Sequence, residues 1–330
     1  MALYLITGIG GFIGSSLAHE LLQRGEQVRG IDNFSTGKRQ NLEQILKQLD
    51  FRESDILDLE AVKKACTGVD YVLHQAAIPS VPKSVIDPIA SNRANVDGTV
   101  NVLVAARDAN VKRVVYAASS SAYGDTPTLP KHERMTPDPI SPYAVAKLAS
   151  EHYLTSFYRC YGLETVSLRY FNIFGPRQDP SSPYSGVLAK FITMMLARKQ
   201  PTIFGDGEQS RDFTYVSNAV EANLLACQAP AAQVAGKMFN IATGRRVTLN
   251  QTFKLLQALT SYPGPPVYGA ERGGDIKHSL ADISLAEKHL GYKPKIAFEE
   301  GLRRTVDWYR TTDLGPPASE LRPHTSEISG

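Results

Sequence analysis

Cysteine is scarce in this chain: three residues in 330, Cys66, Cys160 and Cys227, odd in number and far apart. That spacing excludes a disulfide framework and offers no zinc-ligand pattern. It fits a reducing compartment, with the thiols acting as small buried hydrophobes. Charge of one sign is scarce too. Thirty-six Lys and Arg against 33 Asp and Glu leave a net +3 with no long basic block, which argues against a nucleic-acid binder. No run of 18 apolar residues occurs, so no membrane span is expected. The N-terminus lacks the charged, apolar and cleavable parts of an export signal, since Leu3 to Ile6 leads directly into Thr7-Gly8. The expectation is a cytoplasmic protein without membrane, nucleic-acid or metal partners. No internal repeat is present.

What the chain does have is alternation. Apolar strand candidates at Leu3–Thr7, Gln27–Ile31, Phe51–Ser54, Asp70–His74, Arg113–Ala118 and Thr165–Tyr170 are separated by helical patterns. The helices are expected at Ser16–Arg24, Leu59–Cys66, Val96–Ala109 and Tyr143–Tyr161. Strand and helix in strict succession predict an α/β fold, a Rossmann-type doubly wound parallel sheet. In such sheets ligands sit at the carboxyl ends of the strands. After Tyr170 the pattern loosens into Pro- and Gly-rich stretches around one helix near Val187–Arg198. We read residues 1–170 as a dinucleotide-binding domain and 171–314 as a smaller C-terminal substrate-binding lobe, with segments able to cross back to the sheet. Residues 315–330 read as a polar, disordered tail.

Thr7-Gly8-Ile9-Gly10-Gly11-Phe12-Ile13-Gly14 follows the first strand and opens a helix. Phosphate needs close backbone approach and a helix N-terminus with free amides. Gly8 and Gly11 supply the turn and the approach, and Gly14 allows the helix to pack against the strand. A glycine trio alone is weak, and an ordinary Gly-rich turn would look similar. Here Asp32 ends the second strand, where a carboxylate accepts from both adenosine ribose hydroxyls and repels a 2′-phosphate. NAD is therefore expected over NADP, although Lys38 and Arg39 lie nearby.

Tyr143 and Lys147 are four apart on a helical pattern and share a face. A phenol with pKa near ~10 is a poor base at neutrality, and an adjacent ammonium and an oxidised nicotinamide are charges that would lower it. Ser119-Ser120-Ser121 follows the strand Arg113–Ala118, at the edge where ligands bind. Each feature alone is more often structural. In this order behind a dinucleotide loop, they suit deprotonation of a carbinol as hydride leaves for NAD.

With Asp55-Ile56, Tyr71-Val72-Leu73-His74-Gln75-Ala76-Ala77, Arg169-Tyr170-Phe171-Asn172, Gln178-Asp179-Pro180 and His278–Ser284, these motifs resemble the extended short-chain dehydrogenase/reductase family. Within it, the chain is most similar to the NAD-dependent nucleotide-sugar epimerases, on the bacterial UDP-N-acetylglucosamine 4-epimerase branch. The resemblance runs from Tyr4 to about Tyr309. It implies that Tyr143 is the base for the sugar 4-hydroxyl, that Lys147 holds the nicotinamide ribose and that Ser119 assists. It also implies that Asp32, Asn33, Asp55, Ile56, Ala76, Asn95 and Tyr170 line the NAD site. Asn172, Arg211, Arg272 and Asp275 match UDP contacts, where guanidinium forks suit a diphosphate. Pro79, Ser80, Ser121, Asn172, Gly186 and Ser279 surround the hexose. The family homodimer pairs the helices near Val96–Ala109 and Tyr143–Tyr161.

The expected reaction is 4-epimerisation of a UDP-hexose through a 4-keto intermediate. Ser120 and Ser121 stand where dehydratases carry Asp-Glu and where decarboxylases carry Glu, so elimination and decarboxylation rank lower. Ser279 and Gly186 leave room for an N-acetyl group, which favours UDP-GlcNAc/UDP-GalNAc over UDP-Glc/UDP-Gal. Pro79 replaces the usual glycine. The alternative is a UDP-glucuronate 4-epimerase. A non-catalytic NAD-binding protein ranks last, because Ser119, Tyr143 and Lys147 are all retained.

Overall fold

A computed structural model describes residues 1–180, 186–271 and 277–312. Its centre is one seven-stranded parallel sheet. The strands are β1 (Leu3–Thr7), β2 (Gln27–Asp32), β3 (Asp50–Glu53), β4 (Tyr71–His74), β5 (Arg113–Ser119), β6 (Glu164–Tyr170) and β7 (Lys237–Ile241). Their spatial order is β7-β6-β5-β4-β1-β2-β3, so the winding direction reverses between β1 and β4. The carboxyl ends of β1 and β4 therefore open a crevice at that switch point. The middle strands are buried on both faces; Val114, Val115, Val166 and Leu168 are fully covered, as a parallel sheet between helical layers requires.

Helices α1 (Phe12–Gln23), α2 (Leu59–Cys66), α3 (Gly98–Asp108) and α4 (Pro142–Tyr161) cover the first half. Two boundaries differ from the sequence reading. The first helix starts at Phe12 instead of Ser16, because Gly11 already serves as its N-cap. The third is preceded by a π-turn at Arg93–Asp97, which periodicity alone does not reveal. α4 has strong local signals: Ser141 caps it by accepting from the Ala144 amide, Pro142 occupies its first turn and Gly162 ends it in a left-handed conformation.

Beyond Tyr170 the chain crosses back to the sheet. It contributes helices α5 (Val187–Leu196), α6 (Val216–Gln228), α7 (Leu249–Thr260), α8 (Ser284–Leu290) and α9 (Phe298–Arg310), and β7 returns to pair with β6. One large apolar core runs from Ile6 and Leu17 through Phe174, Ile192 and Phe253 to Tyr309, and a second, on Leu5, Val72, Val114 and Leu154, lies beside it. The expected UDP contacts Arg272 and Asp275 and the 315–330 tail lie outside the described residues. Among the described residues no helix is long and apolar enough to cross a membrane, and no group of His, Cys, Asp or Glu is placed to hold a metal ion.

Candidate active site

At the switch point lies a cavity of about 830 Å³. Gly8, Gly11, Phe12, Ile13 and Gly14 line it from one side, with Asp32, Asn33, Asp55, Ile56, Ala76 and Tyr170. Ser119, Tyr143 and Lys147 line the same cavity, as do Pro79, Ser80, Asn172 and Gly186. Four expected residues stand off its wall. Asn95 is buried behind it, accepting from the Ile78 amide at 2.8 Å, so it shapes the 76–80 loop from behind. Ser121 donates to the Ser119 Oγ at 2.8 Å. Ser279 accepts from the Asn172 side chain at 3.3 Å, and Arg211 donates to the Ser210 and Lys277 carbonyls.

The glycine turn is sterically required. Gly8 has φ +70°, and a Cβ on it would come within 2.7 Å of the Ala76 backbone. A Cβ on Gly14 would sit 2.2 Å from the Gly8 carbonyl oxygen. The first turn of α1 has neither a side-chain cap nor an acidic residue, so its amides and dipole are left for an anion. Asp32 is held in place by the Gly10 amide at 2.8 Å and the Phe34 amide at 2.7 Å. Burial raises its pKa, and those two bonds pull it back. The basic neighbours that would favour a 2′-phosphate are already committed: Lys38 to Asp179 at 2.8 Å and Arg39 to Glu53 at 2.5 Å. These features fit NAD.

Tyr143 and Lys147 sit one turn apart near the start of α4, and the Tyr143 amide donates to Ser84 Oγ at 3.0 Å. Lys147 is buried, with Nζ donating to the Ala117 carbonyl at 2.8 Å and lying 4.7 Å from the Tyr116 ring centroid. Burial pushes Tyr143 above the ordinary value, and Ser119 beside it pulls it part of the way back. Burial also lowers the Lys147 amine to about 7, against the opposing pull of Glu151. Lowering of the phenol is left to the Lys147 ammonium and the bound cofactor's positive ring.

Beneath this site a polar chain runs through the core. Thr7 Oγ1 lies 2.6 Å from His74 Nδ1, His74 Nε2 lies 2.9 Å from Thr99 Oγ1, and Thr99 donates to the Asn95 carbonyl. Burial lowers His74 to about 3, so the ring stays neutral and links β1 to α3. Tyr170 is set by Asn223 at 2.7 Å; a polar residue on the apolar face of α6 was the one sequence signal for that contact. Arg177, also on the cavity wall, was not singled out from the sequence.

A family model described as the NAD-dependent epimerase/dehydratase family matches residues 4–242. The chain belongs to that family. It is an NAD-dependent enzyme of the epimerase type. A solved UDP-N-acetylglucosamine 4-epimerase from Methanobrevibacter ruminantium, in complex with UDP-N-acetylmuramic acid, is 41% identical with TM-score 0.89, covering 93% of this chain and 98% of that one. A Thermus thermophilus UDP-glucose 4-epimerase in complex with NAD is 36% identical with TM-score 0.85, covering 94% and 99%. A UDP-glucuronate 4-epimerase from Thermodesulfobacterium geofontis is 34% identical, covering 93% and 96%.

The depressed Lys147 makes a stability prediction. The unfolded chain holds that proton up to its ordinary value of 10.5, and the folded protein releases it near 7. Between those limits the unfolded state binds more protons, so rising pH stabilises the nucleotide-free wild type relative to Lys147→Met. The slope is about 1.4 kcal/mol per pH unit, and it flattens below pH ~7. Urea titrations of both proteins from pH 6 to 10 measure it. A pH-independent difference would contradict the burial argument.

Proposed function

We propose that this enzyme interconverts the C4 epimers of a UDP-hexose, with UDP-GlcNAc/UDP-GalNAc preferred, as a cytoplasmic homodimer. The observation that carries the reading is the convergence of Ser119, Tyr143 and Lys147 on the wall that also holds the glycine turn and Asp32. When bound, NAD supplies a reversible hydride acceptor. Tyr143 takes the 4-hydroxyl proton and later returns it, and Ser119 shares that proton through its Oγ. Lys147 places a cation one helical turn from the phenol. Asn172, Arg211, Arg272 and Asp275 are assigned to UDP, which stays anchored while the hexose presents its other face.

Among the described residues the carboxylates on the wall are Asp32, Asp55 and Asp179. Asp32 is tied to amides, Asp55 to Asn33 and the Leu57 amide, and Asp179 to Lys38. That leaves no acid beside Ser119 for elimination and favours return of the hydride. Gly186 supports a roomy hexose pocket, since a Cβ there would press on the Gln178 amide at 3.3 Å. Ser279 bears on that pocket through Asn172.

Incubating the protein with UDP-GlcNAc, UDP-Glc and UDP-GlcA separately, without added NAD, tests the assignment. The C4 epimer of UDP-GlcNAc should form fastest and no NADH should accumulate. Turnover of UDP-GlcA alone would reverse the substrate ranking, and NADH accumulation would replace the epimerase with a dehydrogenase.

The dimer is supported by an apolar surface on and beside α4. Val85, Ile86, Ile89, Val145 and Tyr153 are all exposed. Sedimentation at micromolar concentration should give twice the chain mass; a monomer would remove the assignment.

A further inference from the structure

The segment after β6 crosses the cleft at Gly175–Asp179. There Arg177 takes a left-handed backbone, φ +69°, which is uncommon for a non-glycine residue. Its Nη2 donates to Ser16 Oγ at 3.2 Å, and Ser16 in turn donates to the Phe12 carbonyl in the first turn of α1. Its Nε is buried without a partner, and among the described residues no carboxylate pairs with it. Yet it shares the cavity wall with Gly11–Gly14. A guanidinium has five donors and binds oxyanions bidentately. A partly buried cation beside an uncapped helix N-terminus is doubly positive, and an anion is the missing partner.

The flanking residues hold the segment down on both sides. Asp179 pairs with Lys38 at 2.8 Å, and the Lys38 amide donates to the Gly10 carbonyl in the glycine turn. On the other side, the Tyr309 hydroxyl of α9 donates to the Gln178 carbonyl. The loops after β2 and β6 are thereby joined over the cofactor crevice.

We propose that Arg177 binds the NAD pyrophosphate beside the N-terminus of α1, and that Lys38–Asp179 latches this segment so that NAD stays bound between turnovers. The inference rests on NAD as cofactor and is independent of which sugar is the substrate. An enzyme that returns its hydride each cycle gains from slow cofactor release, and an added contact from the segment after β6 supplies it.

The test measures nucleotide binding to protein stripped of cofactor, without reference to activity. Arg177→Met should weaken NAD and ADP alike by tenfold or more, as expected for a lost hydrogen bond to a charged group, and leave adenosine binding unchanged. Arg177→Lys, which keeps the charge and loses the fork, should fall between and guards against a misfolded Met variant. Asp179→Asn should raise the NAD dissociation rate about threefold, since a half-exposed ion pair is a weak one. Wild-type NAD affinity in both Arg177 variants would overturn the proposal. Equal losses for ADP and adenosine would also overturn it, by showing a general role in the shape of the cleft. If epimerase activity failed while these binding shifts appeared, the function above would fall and this inference would stand.

Discussion

Replacing Tyr143 by Phe should lower turnover about a thousandfold while leaving NAD content and thermal stability at wild-type values. The phenolic oxygen is the atom that moves the proton, and loss of a positioned acid–base group costs 10²–10⁴-fold. The ring survives in Phe, so the packing of the first turn of α4 survives with it. The Tyr143 amide bond to Ser84 is backbone and is untouched. The Lys147 bond to the Ala117 carbonyl does not involve the phenol. The variant should therefore bind UDP-sugar with little change, and the loss should fall on kcat. Full turnover would remove Tyr143 as the base. Lost NAD content would mean that the hydroxyl is needed for the cofactor site, and the proton-transfer role would remain to be shown by other means.

The sheet and its cofactor crevice were legible in the sequence because both depend on local pattern. Strand β1, the glycine turn and α1 are contiguous, and the turn's chemistry is written in residues that need no distant neighbour. Tyr143 and Lys147 were legible for the same reason, since a four-residue spacing on a helix fixes a shared face. Long-range contacts were not. Asn95 is a cofactor residue by resemblance, and no local pattern shows that its side chain also accepts from the Ile78 amide. Arg177 looks like a solvated loop arginine until the fold brings Ser16, 161 positions away in sequence, to its guanidinium. β7 lies 67 positions beyond the end of β6, and no periodicity links the two. The depth of burial at Tyr143 was not legible, because a four-residue spacing shows that an ammonium is near and says nothing of how deeply both groups are buried.

The second large effect concerns a group that touches no ligand. Glu151 follows Lys147 by one turn on α4 and is fully buried against Arg169 of β6. The pair is forked: Arg169 Nε donates to Glu151 Oε1 at 2.9 Å and Nη2 to Oε2 at 2.7 Å. The guanidinium also lies 4.6 Å from the Tyr123 ring centroid, and its Nη1 has no partner. Glu151→Leu would leave that cation in the core without a counter-charge, a change that costs about 3–5 kcal/mol. At roughly 2 °C per kcal/mol for a chain of this size, the melting temperature should drop by about 6–10 °C. Adding Arg169→Met should recover most of it, because replacing both members of a buried pair by apolar groups is close to neutral. Activity should not recover in parallel. Glu151 is the group that holds the buried Lys147 amine up toward protonation. Without it Lys147 loses its proton at lower pH, and the cation beside the phenol is absent at neutrality. The stability-restored double variant should thus keep its fold, yet its pH–rate profile should shift toward acid. A double variant with a wild-type pH profile would confine Glu151 to holding α4 against the sheet. A single variant as stable as wild type would show that the buried guanidinium finds another partner.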